Sequence, residues 1–96
     1  MRRAANKDKN QAEIIDALKK VGVSVEIIKQ PVDLLICCRG ETSLMEIKNP
    51  DRTSDDPKSR LTEAQIKFIE RWPGKIHIVR SKEEAVRAAL GEKALA

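Results

Sequence analysis

Apolar positions recur along this chain with two different periods. Ile14, Ile15, Leu18 and Val21 form one stripe of a helix predicted over residues 9–21, and Gly22 stops it in a C′ role. Residues 23–29 (Val-Ser-Val-Glu-Ile-Ile-Lys) alternate and are β-branched, which predicts a strand. Gln30-Pro31 interrupts before the next strand, because proline cannot donate to a central ladder. Strands over residues 32–38 and 43–48 then fold back on each other through Arg39-Gly40. One face of that hairpin carries Leu35, Cys37 and Leu44, and the other carries Leu34, Ile36, Met45 and Ile47. Both faces are apolar, so both are expected to be covered, as in a layered α/β domain.

Residues 49–60 contain no apolar side chain except proline. A polar stretch of that length is either a functional mobile loop or a solvated connector. A helix is predicted over 62–72, where Thr62-Glu-Ala-Gln65 is a capping-box pattern flanked by Leu61 and Ile66 as a hydrophobic staple. Its stripe is Leu61, Phe68, Ile69 and Trp72, with Gln65 projecting from the centre. A fourth strand follows over 75–80. Ser81-Lys-Glu-Glu84 is a second capping box, opening a helix to about Leu90 that Gly91 ends, with 92–96 as a frayed tail. The predicted order is α-β-β-β-α-β-α, one domain over residues 1–96, with residues 1–9 as a basic flexible lead-in.

Composition adds a sign and an exclusion. The 96 residues are 41% hydrophobic and 35% charged, with a net charge of +4 that favours an anionic partner. The only aromatic residues are Phe68 and Trp72, which disfavours a platform of rings stacking on unpaired bases. The two cysteines, Cys37 and Cys38, are neighbours on opposite strand faces and are read as buried thiols in a reducing compartment. His77 is the one histidine, so packing or hydrogen bonding is its expected role, not a zinc set. Neither a signal peptide nor a membrane span is recognisable, and a cytoplasmic protein, bacterial or phage-encoded, is expected.

The candidate chemistry lies at the open end of the hairpin. Counting outward from Arg39-Gly40 pairs Cys38 with Glu41, Ile36 with Ser43, Leu34 with Met45 and Asp33 with Glu46. Directly opposed residues have Cβ atoms about 4.5–5.5 Å apart. Two carboxylates that close repel unless a cation lies between them. Lys48 emerges on the same face, about 6–7 Å further along. Two acids and a lysine on one sheet face suggest a divalent-metal site beside a phosphate, as in a small metal-dependent nuclease. The plainer alternative is a surface hairpin with charged ends. A second acid-x-Lys, Asp56-Pro-Lys58, follows no strand. Glu13, at the border of its helix stripe, either reaches over the sheet edge or is solvated. Gln65 either closes its capping box or points under the sheet toward the acids.

Asp33 and Glu46-Ile-Lys48, between a helix bearing Glu13 and a helix bearing Gln65, resemble the PD-(D/E)xK nuclease superfamily. Within it the chain looks like the VRR-NUC, or virus-type replication-repair nuclease, domain. The similar segments are Pro31-Val-Asp33-Leu-Leu-Ile, Leu44-Met-Glu-Ile-Lys-Asn49, Leu61-Thr-Glu-Ala-Gln65 and Ile76-His-Ile-Val-Arg-Ser-Lys-Glu-Glu-Ala85, and the likeness runs from about Asn10 to Leu90. One departure is Val32, which separates Pro31 from Asp33 where the family has them adjacent. The resemblance implies a restriction-endonuclease-like domain with a central mixed sheet flanked by helices. It also implies one or two Mg²⁺ or Mn²⁺ ions on Asp33, Glu46 and the backbone carbonyl of Ile47, with Glu13 bound directly or through water. Lys48 would orient the attacking water or stabilise the phosphorane, Gln65 would position the lysine or the phosphate, and cleavage would leave 5′-phosphate ends.

Phosphate contacts are expected from Arg2, Arg3, Lys7 and Lys9 and from Arg52, Lys58 and Arg60. One active site per chain calls for a C2 homodimer to cut a symmetric branched junction. The expected activity is therefore structure-selective cleavage of branched or duplex DNA, including Holliday junctions, with no membrane and no small-molecule cofactor. A catalytically silent DNA-binding module with the nuclease fold is the alternative. A third reading is a basic interaction protein whose acids merely rim the sheet.

Overall fold

The structure, a computed structural model, describes residues 2–48 and 61–91, with side chains from Lys9 onward. The elements are α1 (Arg2–Lys20), β1 (Ser24–Ile27), β2 (Leu34–Cys38), β3 (Glu41–Ile47), α2 (Glu63–Arg71), β4 (Ile76–Val79) and α3 (Lys82–Leu90). Their order agrees with the one read from the periodicity. The four strands form a mixed sheet in the order β1-β2-β3-β4, antiparallel up to β3 and parallel between β3 and β4. The chain is thus a small α/β domain with helices on both faces of a mixed sheet. Among the described residues no helix is long and apolar enough to cross a membrane.

Strand alternation explains why three layers form. Leu34, Ile36, Met45, Ile47 and Val79 face Ile14 and Leu18 of α1 and Ala85 of α3, and this is the larger core. The opposite face sets Leu44, Leu35 and Ile76 against Phe68 and Ile69 of α2, with Val32 closing the edge. Ile14 and Leu18 have no exposed surface, so truncating either to alanine should cost about 2–5 kcal/mol. Asn10 is buried beside this core and donates through Nδ2 to the Arg80 carbonyl at 3.0 Å, tying α1 to the end of β4. Periodicity did not single it out, because a buried asparagine breaks an apolar stripe instead of adding to it.

The hairpin register is the predicted one: Cys38 opposite Glu41, Ile36 opposite Ser43, Leu34 opposite Met45. Arg39 and Gly40 both have positive φ (55° and 82°), which a two-residue turn needs to match the strand twist. The thiols of Cys37 and Cys38 are free and half-buried.

Several expectations need correction. The flexible lead-in over 1–9 is instead helical from Arg2, since no glycine or proline interrupts the residues before Lys20. Val21, placed in the apolar stripe, is exposed at 43% and lies beyond the helix. The first strand is shorter than predicted, because Ile28 and Lys29 both donate to the Asp33 carbonyl (2.9 and 3.2 Å) and Lys29 takes φ 72°. Trp72 and Ile66, assigned to a buried stripe and a staple, are exposed at 43% and 44%. Trp72 is the C-cap of α2 and stacks on Phe68, 5.2 Å between ring centroids. At α3 the Ser81 hydroxyl accepts from Glu84 N as a cap should, but the Glu84 carboxylate accepts from Arg80 N (2.7 Å), one residue before the box position. The loop over 49–60 and the tail over 92–96 lie outside the described residues.

Candidate active site

Three chain segments end at the same sheet edge. β2 begins there, while β3 and β4 finish there in parallel, Lys48 N donating to the Val79 carbonyl at 2.9 Å. Asp33 precedes β2 by one residue, Glu46 is the penultimate residue of β3, and Lys48 follows β3. By alternation Glu46 lies on the α2 face with Leu44, while its neighbours Met45 and Ile47 enter the other core. Burial of those neighbours on both sides therefore fixes which way the carboxylate projects.

The expected pairing of Asp33 with Glu46 is altered in one respect. The regular ladder stops at Leu34–Met45, and the Asp33 carbonyl faces the other side, where it accepts from Ile28 N and Lys29 N. The Asp33 side chain crosses to β3 instead, where Oδ2 accepts from Ile47 N at 2.8 Å. A carboxylate thus takes the place of the next ladder bond, and the two acids stay close enough to repel. Burial pushes the Glu46 carboxyl above its ordinary value, a side-chain hydrogen bond with Gln65 works against that, the nearby Asp33 charge adds to it, and Lys48 opposes it.

Glu46 and Lys48 form a buried ion pair. Nζ lies 3.4 Å from Glu46 Oε2, with the two side chains 11% and 4% exposed for lysine and glutamate. Gln65 completes the group. Its Oε1 accepts from Lys48 Nζ at 3.4 Å and from Thr62 N at 3.1 Å, and Gln65 N donates to Thr62 Oγ1 at 3.1 Å. Gln65 therefore closes its capping box, and the same amide reaches the lysine and the glutamate.

The structure brings Asp33, Glu46, Lys48 and Gln65 together, with Ile47 between them. It does not bring Glu13 to them. Glu13 is exposed and lines a groove between α1 and α3 with Ala17, Lys20 and Val86. Among the described residues no three of His, Cys, Asp and Glu form a group able to hold a metal. The reason lies in α1: its buried face is spent on Ile14 and Leu18, and the residue it directs to the β4 end is Asn10. Lys9 is exposed. The side chains of Arg2, Arg3 and Lys7, and all of Arg52, Lys58 and Arg60, lie outside the described residues. His77 is half-buried in β4 beside Met45, and burial, followed by the charge of Lys75, lowers its pKa from the ordinary value.

Compared with protein-family models, with curated proteins and with solved structures, the chain has no match.

Proposed function

We propose that this protein is a metal-dependent endonuclease of the PD-(D/E)xK type, acting on DNA phosphodiester bonds. One observation carries the reading. Glu46, whose carboxyl is pushed up by burial and by the nearby Asp33 charge, shares a sheet edge with Asp33 and with a lysine held by a glutamine from another layer. A surface hairpin with solvated ends has no need to bury Glu46 and Lys48 together. Burying such a pair is costly, and strongly perturbed ionisable groups in a shared site cluster where chemistry is done.

The donor set suits a hard divalent cation. Carboxylate oxygens of Asp33 and Glu46 and the Ile47 carbonyl are oxygen ligands of the kind Mg²⁺ and Mn²⁺ take, and the like charges of the two acids favour a cation between them. Such an ion, one or two per site, would supply a bound water of lowered pKa and neutralise charge on the phosphate. Glu13, in the α1/α3 groove, has no part in this set as the side chains stand.

The chain's own residues do the rest. Asp33 is held by Ile47 N, which fixes the carboxylate at the site where it would face a ligand. Lys48 carries a fixed positive charge at the edge of the pair, where it donates to a phosphate oxygen or to the attacking water. Gln65 keeps that ammonium in place through Oε1, and Thr62 N keeps Gln65 in place. Preorganised donors of this kind need no rearrangement as charge develops on the phosphate. Selectivity for branched DNA and a homodimer with two such sites are part of the proposal, since one site per chain cuts one strand.

Incubation with labelled four-way junction, flap and plain duplex DNA, with and without Mn²⁺, tests it. Metal-dependent cutting that Lys48→Ala abolishes is the expected result. Tight binding with no cutting in any metal would overturn the enzyme and leave a DNA-binding module.

A further inference from the structure

Gln65 also lines a second feature. A groove of about 500 Å³ runs between the segment leading into β2 and α2, walled by Lys29, Gln30, Pro31, Thr62, Gln65 and Arg71. Its described lining holds two cations and no carboxylate, although the chain contains 15 acidic residues. The α1/α3 groove differs: Glu13, Asp16 and Glu83 there stand among Lys20, Lys82 and Arg87, so it has no preferred sign.

Arg71 is anchored through its side chain and Lys29 through its backbone. Arg71 places its guanidinium over the Phe68 ring, 5.3 Å from the centroid, which holds it against the groove wall. The backbone of Lys29 donates to the Asp33 carbonyl, so the chain from which this lysine projects is tied to the residue that supplies a site carboxylate. Lys67, on the same helix, is instead 3.8 Å from Glu63. The groove and the acid pair share one side chain, Gln65, and so adjoin.

We propose that this groove seats the sugar–phosphate backbone of DNA flanking the bond at the Asp33–Glu46–Lys48 site, with Lys29 and Arg71 as phosphate contacts. The identity of the ligand rests on the nuclease reading. Lys29 and Arg71 position the strand without reading its sequence.

The test measures anisotropy of a labelled DNA duplex in EDTA over a salt series, and cleavage separately with Mn²⁺. The variants are Lys29→Glu, Arg71→Gln and the two combined, with Lys67→Glu as the control on the same helix. The combined variant should bind about tenfold more weakly, and its slope of log K against log salt should fall in magnitude by about 2. Lys67→Glu should change affinity less than about twofold, because it does not line the groove. Trp72, the only tryptophan, stacks on the ring under Arg71, so its fluorescence should shift on binding in the wild type and not in the combined variant. Circular dichroism matching the wild type, and recovery of binding by Arg71→Lys, separate a lost contact from a lost fold.

Unchanged affinity and slope in a variant series that still cuts DNA would overturn the groove and leave the nuclease. Groove-dependent binding by a protein that cuts nothing would remove the nuclease and leave the groove. A wild-type protein that binds no duplex overturns the groove, whatever the cleavage assay returns.

Discussion

Gln65 Oε1 stands 3.4 Å from Lys48 Nζ, and the same atom accepts from Thr62 N at 3.1 Å. Start of helix and candidate active site are thereby one hydrogen-bonded unit. The two functions separate by mutation. Thr62→Ala removes the hydroxyl cap but leaves the backbone N–H that holds Gln65, so it should cost about 1 kcal/mol of stability with little loss of cleavage rate. Gln65→Ala should cost a similar amount and also reduce kcat severalfold. Equal effects of the two substitutions on kcat would mean that Gln65 acts only through helix stability. Urea unfolding and single-turnover cleavage give the two numbers.

Asp33→Asn and Asp33→Ala should differ in the metal-free protein. The asparagine oxygen can still accept from Ile47 N, and neutralising the residue removes a charge that opposes ionisation of Glu46. Stability should therefore hold or rise. Alanine leaves a part-buried N–H without its acceptor and should lose about 1–3 kcal/mol. Both should abolish cutting and the rise in melting temperature on adding Mn²⁺. A destabilised Asp33→Asn would show that the carboxylate's charge is itself structural.

Removing Lys48 leaves Glu46 buried without its cation. Lys48→Met should lose about 3 kcal/mol, and much of that should return in the double variant Lys48→Met with Glu46→Gln, which buries no charge. Neither variant should cleave. Additive losses in this cycle would mean that the two side chains are not coupled.

Acidification should act through His77. Its folded pKa lies below the ordinary imidazole value of 6.5, so the unfolded chain binds the proton first. The contribution of this group to stability is thus fully present above pH 6.5. It is lost as pH falls from there toward the depressed folded value, and is constant below it. His77→Asn should flatten the stability profile in that window, measured by urea unfolding at a series of pH values. An unchanged profile would place the acid sensitivity elsewhere.

What the sequence determined by itself was whatever depends on periodicity and local turn chemistry. Element order, the Arg39-Gly40 turn, the hairpin register, the Thr62 capping box and the grouping of Asp33, Glu46 and Lys48 at one edge all follow from neighbours within a few residues or from a count across a tight turn. Tertiary contacts decided the rest. The Asp33 carbonyl accepts from Ile28 N and Lys29 N on one side, and its carboxylate takes Ile47 N on the other in place of the next ladder bond. α1 packs Ile14 and Leu18 inward and directs Asn10 to Arg80, which sets Glu13 apart in the groove beside α3. Lys29 and Arg71 come to line one groove only because α2 lies against the entry to β2. A helix stripe specifies which side faces the core, but the rotation and depth at which it docks depend on residues far away in the chain. Polar side chains at the edge of a stripe, such as Glu13, are the ones that a small change in that docking reassigns.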